Sequence, residues 1–74
     1  MPELRGMSGE ELIRKLERLG FTRVRQRGSH VVLRMETPEG AFGCVVPLHK
    51  ELAIGTIKGI LKQAMIVPSD LQDA

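Results

Sequence analysis

The residues best suited to acid–base chemistry in this chain are two histidines, each in a short motif: Gly28-Ser29-His30 and Pro47-Leu48-His49. Arg23, Arg25, Arg27 and Arg34 cluster around the first, with no acidic residue between Arg18 and Glu36. This combination suits cleavage of an RNA phosphodiester. One group must take a proton from the 2′-hydroxyl, one must protonate the leaving 5′-oxygen, and cations must hold the charge that builds on phosphorus. Imidazole suits either proton transfer because it ordinarily titrates near neutrality. Guanidinium suits the last role because its fork matches phosphate oxygens. His30 is therefore the candidate general acid or base, and Arg23, Arg25 and Arg34 are candidate phosphate contacts.

Each of these residues also has an ordinary reading. A lone histidine in a strand is commonly structural; exposure and arginine neighbours are what favour chemistry at His30. Ser29 either orients His30 or touches phosphate, or it is simply a turn residue. His49 either ties down the loop before the last long helix or takes part in RNA contact or proton transfer. Lys50, Lys58 and Lys62 extend a basic surface or are merely solvated. Other chemistries fare worse. Two histidines and one cysteine without metal-ligand spacing argue against a zinc site, and no cofactor is expected. No glycine-rich phosphate loop follows a strand. Trp and Tyr are absent and Phe occurs twice, which disfavours a base-stacking platform. Cys44 lies in an apolar run and reads as a small core residue rather than a nucleophile.

The elements that must position these residues are legible as an alternation of periods. Ser8 to Leu19 predicts a helix. Ser8 and Glu11 have the spacing of a capping box, and Met7 and Leu12 that of a hydrophobic staple. Leu12, Ile13, Leu16 and Leu19 form one apolar stripe, and Gly20 is a natural stop. Three strands follow: Phe21 to Gln26, His30 to Glu36, and Ala41 to Val46. They are joined by turns at Gly28-Ser29 and at Thr37-Pro38-Glu39-Gly40. A second helix is expected from about Thr56 to Met65, with Ile57, Ile60, Leu61 and Ala64 on one face. Gly59 inside it either permits a close helix–sheet approach or is tolerated. Pro68 is placed to begin a last short turn, with Leu71 packing back.

The order is α-β-β-β-α, an α+β fold: a three-stranded antiparallel sheet with two helices covering one face. Strand alternation puts Val24, Val31, Leu33, Met35, Phe42, Cys44 and Val46 on the covered face. It puts Arg23, Arg25, His30, Val32, Arg34 and Val45 on the open one. Double-stranded-RNA-binding domains share this order of elements, which is an analogy of fold and not of function.

Length and composition limit the possibilities. The chain has 74 residues, enough for one domain over 1–74. A domain of this size buries only about 60% of its unfolded surface, so a site should lie on a face or in a shallow groove. The formal charge is +2, a weak excess. Its distribution, basic in the middle with acids at Glu10, Glu11, Glu17, Asp70 and Asp73, fits a polyanionic partner or a plain solvated surface. A single cysteine fits a reducing cytosol. The charged first twenty residues do not read as a signal peptide, and no apolar stretch approaches the ~20 residues of a membrane span.

Taken in order, Gly20-Phe21, Gln26-Arg27-Gly28-Ser29-His30, Val46-Pro47-Leu48-His49, Gly55-Thr56-Ile57 and Ile60-Leu61-Lys62-Gln63-Ala64 closely resemble HicA toxins. The resemblance runs from the first helix to Ile66. It implies a double-stranded-RNA-binding-like fold, an mRNA-cleaving endoribonuclease, catalysis by the histidine of G-S-H (here His30), and a HicB antitoxin as protein partner. Met65 stands where the family commonly has glycine, so the end of the second helix is expected to differ. Gly55-Thr56-Ile57 replaces the lysine-rich helix start of true duplex-RNA binders, which argues against plain duplex binding more than against a toxin. Two rival readings share this frame: a module that holds structured RNA without cutting it, and a protein-interaction domain that has lost activity.

Overall fold

The Ser8–Glu11 pair forms the helix start that its spacing predicts. In the computed structural model, which describes residues 6–74, the Ser8 hydroxyl accepts from the Glu11 N–H at 3.1 Å and the Glu11 carboxylate accepts from the Ser8 N–H at 3.0 Å. The Ser8 N–H foremost, and the Ser8 hydroxyl after it, hold the Glu11 carboxyl below its ordinary range. The helix α1 spans Gly9–Arg18 and buries Leu12, Ile13 and Leu16. It ends through a left-handed Gly20 at φ +114°. There the Gly20 N–H donates to the Glu17 carbonyl and the Phe21 N–H to the Leu16 carbonyl, satisfying two carbonyls that the last turn leaves free.

Strands β1 (Thr22–Arg27), β2 (His30–Thr37) and β3 (Gly40–Pro47) form one antiparallel meander in the order β1-β2-β3. Gly28, at φ +57°, supplies the positive φ that a two-residue hairpin turn needs. Helix α2 spans Ile54–Ala64 and packs chiefly on β3; α3, Pro68–Gln72, starts on its proline and buries Leu71. The architecture is the expected α-β-β-β-α. The helix α2 begins two residues earlier than its apolar stripe indicates, at Ile54, because the buried Leu52 already anchors the chain ahead of it.

The core holds Val31, Leu33, Cys44 and Val46 as expected, with Met35 and Phe42 packed at its margin. Burial pushes the Cys44 thiol up to about 11, which suits an inert core residue. Val24 is the exception, at 54% exposed. Arg27 pairs with His30, Gln26 with Val31 and Arg25 with Val32, but the next pair is Arg23 with Leu33: the ladder slips by one residue around Val24. A strict alternation would place Val24 on the helix-covered face and Phe21 on the open face. The slip reverses both. Phe21 becomes 2% exposed, and Arg23 turns to the helix side, where its guanidinium meets Glu10 at 3.1 Å and Glu17 at 3.3 Å. The slip buries a phenylalanine in exchange for a valine, which removes more apolar area from water, and lets Arg23 pair with two carboxylates.

Three backbone hydrogen bonds knit the loop after β3 to its surroundings. The Leu48 N–H donates to the Ser29 carbonyl at 2.7 Å, the Gly9 N–H to the His49 carbonyl at 2.9 Å, and the Leu52 N–H to the Met7 carbonyl at 2.8 Å. Gly9 is buried against this loop, and a Cβ added there would run into the Pro47 carbonyl oxygen. The end of α2 repeats the bonding of α1: the Met65 N–H donates to Lys62 and the Ile66 N–H to Leu61. Here the left-handed residue is Met65, at φ 59°. A methionine thus holds a conformation that suits glycine, at the position where the resembled family commonly has one.

These two positions should respond with opposite sign to small changes. Gly9→Ala should destabilise the fold by roughly 1–3 kcal/mol, the usual range for overpacking. Met65→Gly should stabilise it by up to about 1 kcal/mol: it relieves a left-handed strain of about 1–2 kcal/mol and adds back part of that as chain entropy. Urea denaturation midpoints at unchanged slope would measure both. An unshifted midpoint for Gly9→Ala would mean that the loop does not press on this helix end.

Candidate nucleic-acid interface

His30 opens β2 directly after the Gly28-Ser29 turn, and its side chain is exposed. Its cross-strand neighbours are Arg27 on β1 and Pro47 on β3. The two-residue turn fixes the first pairing, since a hairpin of this length must join residues 27 and 30. The register also fixes the face. Val31, Leu33 and their partners Val46 and Cys44 point to the helices, so His30, Val32 and Arg34 point away from them. Arg25, opposite Val32, and Arg27, opposite His30, share that open face.

The predicted arginines therefore divide. Arg25 lies on the open face as expected. Arg34 does too, with its guanidinium 3.2 Å from Glu36 in an exposed pair. It stands four residues along β2 from His30, roughly 13 Å by the rise of a strand. Arg23 does not lie there: the slip around Val24 turns it under the sheet edge to Glu10 and Glu17. Arg27, opposite His30, lies on the open face and is the arginine paired directly with it. The length of the Gly28-Ser29 turn already implied that pairing, and alternation through Arg25 puts Arg27 on the same face.

Ser29 is exposed, and its carbonyl accepts from Leu48, so the turn is tied to the loop carrying His49. His49 is exposed and its carbonyl caps the first N–H of α1. The two histidine motifs are thus joined through backbone, one residue before each histidine. A groove of about 370 Å³ opens beside His30, between the end of the sheet and α2. Its walls are His30, Val45 and Pro47 on one side and Thr56, Gly59 and Gln63 on the other. His49 is not part of this groove. The three helical residues are spaced i, i+3, i+7 and so occupy one stripe, which borders the buried stripe of Ile57, Ile60, Leu61 and Ala64, with Ile60 lining the groove between the two. Thr56 and Gln63 carry part of the family resemblance, but no role was expected of them beside His30. Their shared stripe was visible, but only packing shows that it faces His30.

The side-chain hydrogen bonds among the described residues engage neither His30 nor Thr56 nor Gln63. Among those residues no three His, Cys, Asp or Glu side chains converge to hold a metal, and no helix is long and apolar enough to cross a membrane. The open face can therefore offer an imidazole free of internal partners, arginines on one side of it, and an uncharged groove on the other.

No curated protein matches the chain. A family model described as HicA toxin of bacterial toxin-antitoxin matches residues 9–66, a span that runs from the glycine packed against the Pro47 loop to the residue that closes α2. On that match, which covers most of the chain and both histidine motifs, the protein belongs to the HicA toxin family of bacterial toxin–antitoxin systems.

Proposed function

We propose that this toxin is an endoribonuclease that cleaves mRNA in the cytoplasm, with His30 as general acid or base. The observation that carries the reading is the placement of His30: exposed at the head of β2, opposite Arg27, and at the mouth of a groove. Arg25 and Arg27 are positioned to hold the phosphate that accumulates charge, and Arg34 to hold one further along the strand. Ser29, beside His30 in the turn, and His49, in the loop bonded to that turn, contribute to RNA contact.

The economical nucleophile is the substrate's own 2′-hydroxyl. Its proton passes to a base, its oxygen bonds to phosphorus, and the bond to the 5′-oxygen breaks as that oxygen receives a proton. The products are a 2′,3′-cyclic phosphate and a free 5′-hydroxyl. This route calls for no protein-bound metal hydroxide and no cofactor. His30 performs one of the two proton transfers; His49, whose loop is tethered to the His30 turn by the Leu48–Ser29 hydrogen bond, is the first candidate for the other.

The His30→Ala variant should keep the stability of the parent within about 0.5 kcal/mol, as exposed positions usually do. It should lose about 10²–10⁴-fold in cleavage, the range of one acid–base group. The parent should leave cyclic-phosphate ends in excess chelator, and should spare an RNA with a single 2′-deoxy residue at the cut. Mass spectrometry of the ends reads this. Cleavage of the deoxy substrate, or its loss in chelator alone, rules the mechanism out.

Charge on the two faces separates by salt dependence. Arg25→Ala and Arg27→Ala should each lower the slope of log affinity against log salt by about 0.7, the value per phosphate for a single strand. Arg23→Ala should leave the slope unchanged, because Arg23 sits on the opposite face with Glu10 and Glu17. Titrations of inactive His30→Ala background proteins would show it; an effect at Arg23 equal to that at Arg27 would refute the assignment of faces.

The protein partner in this reading is a HicB-like antitoxin that covers the open sheet face with an acidic surface, since complementary charge speeds and orients docking. Amide hydrogen exchange with antitoxin should show protection at β1 and β2. Protection restricted to the helices would mean inhibition by another route.

A further inference from the structure

We propose that the groove between His30 and α2 is a nucleobase subsite, in which Gln63 and Thr56 read the base next to the scissile phosphate. The proposal rests on the ribonuclease reading of His30 and adds where, and by which atoms, the substrate's sequence is read.

The argument begins with what the groove lacks. Apart from His30, none of its lining residues is ionisable. Phosphates are drawn to the arginines on the other side of His30, at Arg25 and Arg27. The RNA chain therefore meets a charged surface on one flank of the histidine and a neutral one on the other. The part of a nucleotide that gains from a neutral groove is its base. The planar faces of a base suit the apolar surfaces of Pro47 and Val45. Its edge suits the Gln63 amide, which offers both donors and an acceptor, and the Thr56 hydroxyl, which offers one of each. No aromatic side chain lines the groove, so recognition runs through the edge of an unstacked base rather than through stacking, as single-stranded RNA permits.

Gly59 fits the same picture. It lies between Thr56 and Gln63 on the groove wall, and a Cβ added there would meet nothing within 4 Å. Helix–sheet packing therefore does not require glycine at this position. Its effect is to leave the groove a side chain wider at its middle, at a site where glycine weakens the helix relative to alanine. Thr56 and Gln63 are exposed and without internal side-chain hydrogen bonds among the described residues, so their polar atoms are available to a ligand.

The test is sequencing of cut ends from a random RNA pool treated with the parent protein, Gln63→Ala and Gly59→Val, each checked for folding by circular dichroism. Gly59→Ala serves as a second, milder filling of the groove should the valine variant unfold. The parent should prefer particular bases on one side of the cut. Gln63→Ala should flatten that preference by about three- to tenfold while still cutting, the scale of one or two neutral hydrogen bonds. Filling at residue 59 should raise KM more than it lowers kcat, and most for purines. A parent that cuts without base preference, or a preference that every variant keeps, overturns the subsite and leaves the ribonuclease reading intact. A parent that produces no His30-dependent ends overturns the ribonuclease reading and the subsite with it.

Discussion

The arrangement around His30 depends on one backbone junction. At the end of the sheet, Ser29, Gly9 and Met7 each exchange a hydrogen bond with the loop that leaves β3: Ser29 with Leu48, Gly9 with His49, Met7 with Leu52. These bonds join the turn before His30, the start of α1 and the approach to α2. The Gly9 bond uses an N–H that a helix start leaves without an internal partner. Because Gly9 has no side chain, α1 can come within backbone distance of Pro47.

The ladder slip at Val24 decides the electrostatics. With one residue out of register, Phe21 enters the core and Arg23 is drawn to two carboxylates on α1. The open face loses one arginine and gains an exposed valine. What remains near His30 is Arg25 and Arg27, held by the residues that also define the hairpin turn. Bulges of this kind re-aim side chains at the edges of sheets, and here the charge next to His30 comes from the strand segment beyond the bulge rather than before it.

The two flanks of His30 differ in kind. Towards β1 the surface is cationic; towards α2 it is apolar and amide-bearing, without formal charge. A small domain has no room for an enclosed cavity, and this chain instead sets two unlike surfaces side by side along one edge. Membership of the HicA family, across residues 9–66, covers all the elements that create this division: the Gly9 contact, the slip, both histidine motifs and α2.

Much of this was determined by the sequence. The Ser8–Glu11 spacing, the stop at Gly20, the turn at Gly28-Ser29, the alternation from Val31 to Met35 and the stripe of Ile57, Ile60, Leu61 and Ala64 are local patterns. Each leads to its element because the chemistry acts over a few residues. The exposure of His30 follows from the same alternation, and its motif led to the family. Tertiary structure alone decided three things. The alternation of β1 carried two incompatible demands, Val24 inward or Phe21 inward, and the slip in the ladder resolved them in favour of the larger Phe21. That choice moved Arg23 off the open face. The role of Gly9 was hidden because nothing in a helix start announces that a loop some forty residues later will press on it. The groove, finally, is a relation between His30 and α2, elements whose separation is set by packing, and a property of the gap between two elements is written in neither of them.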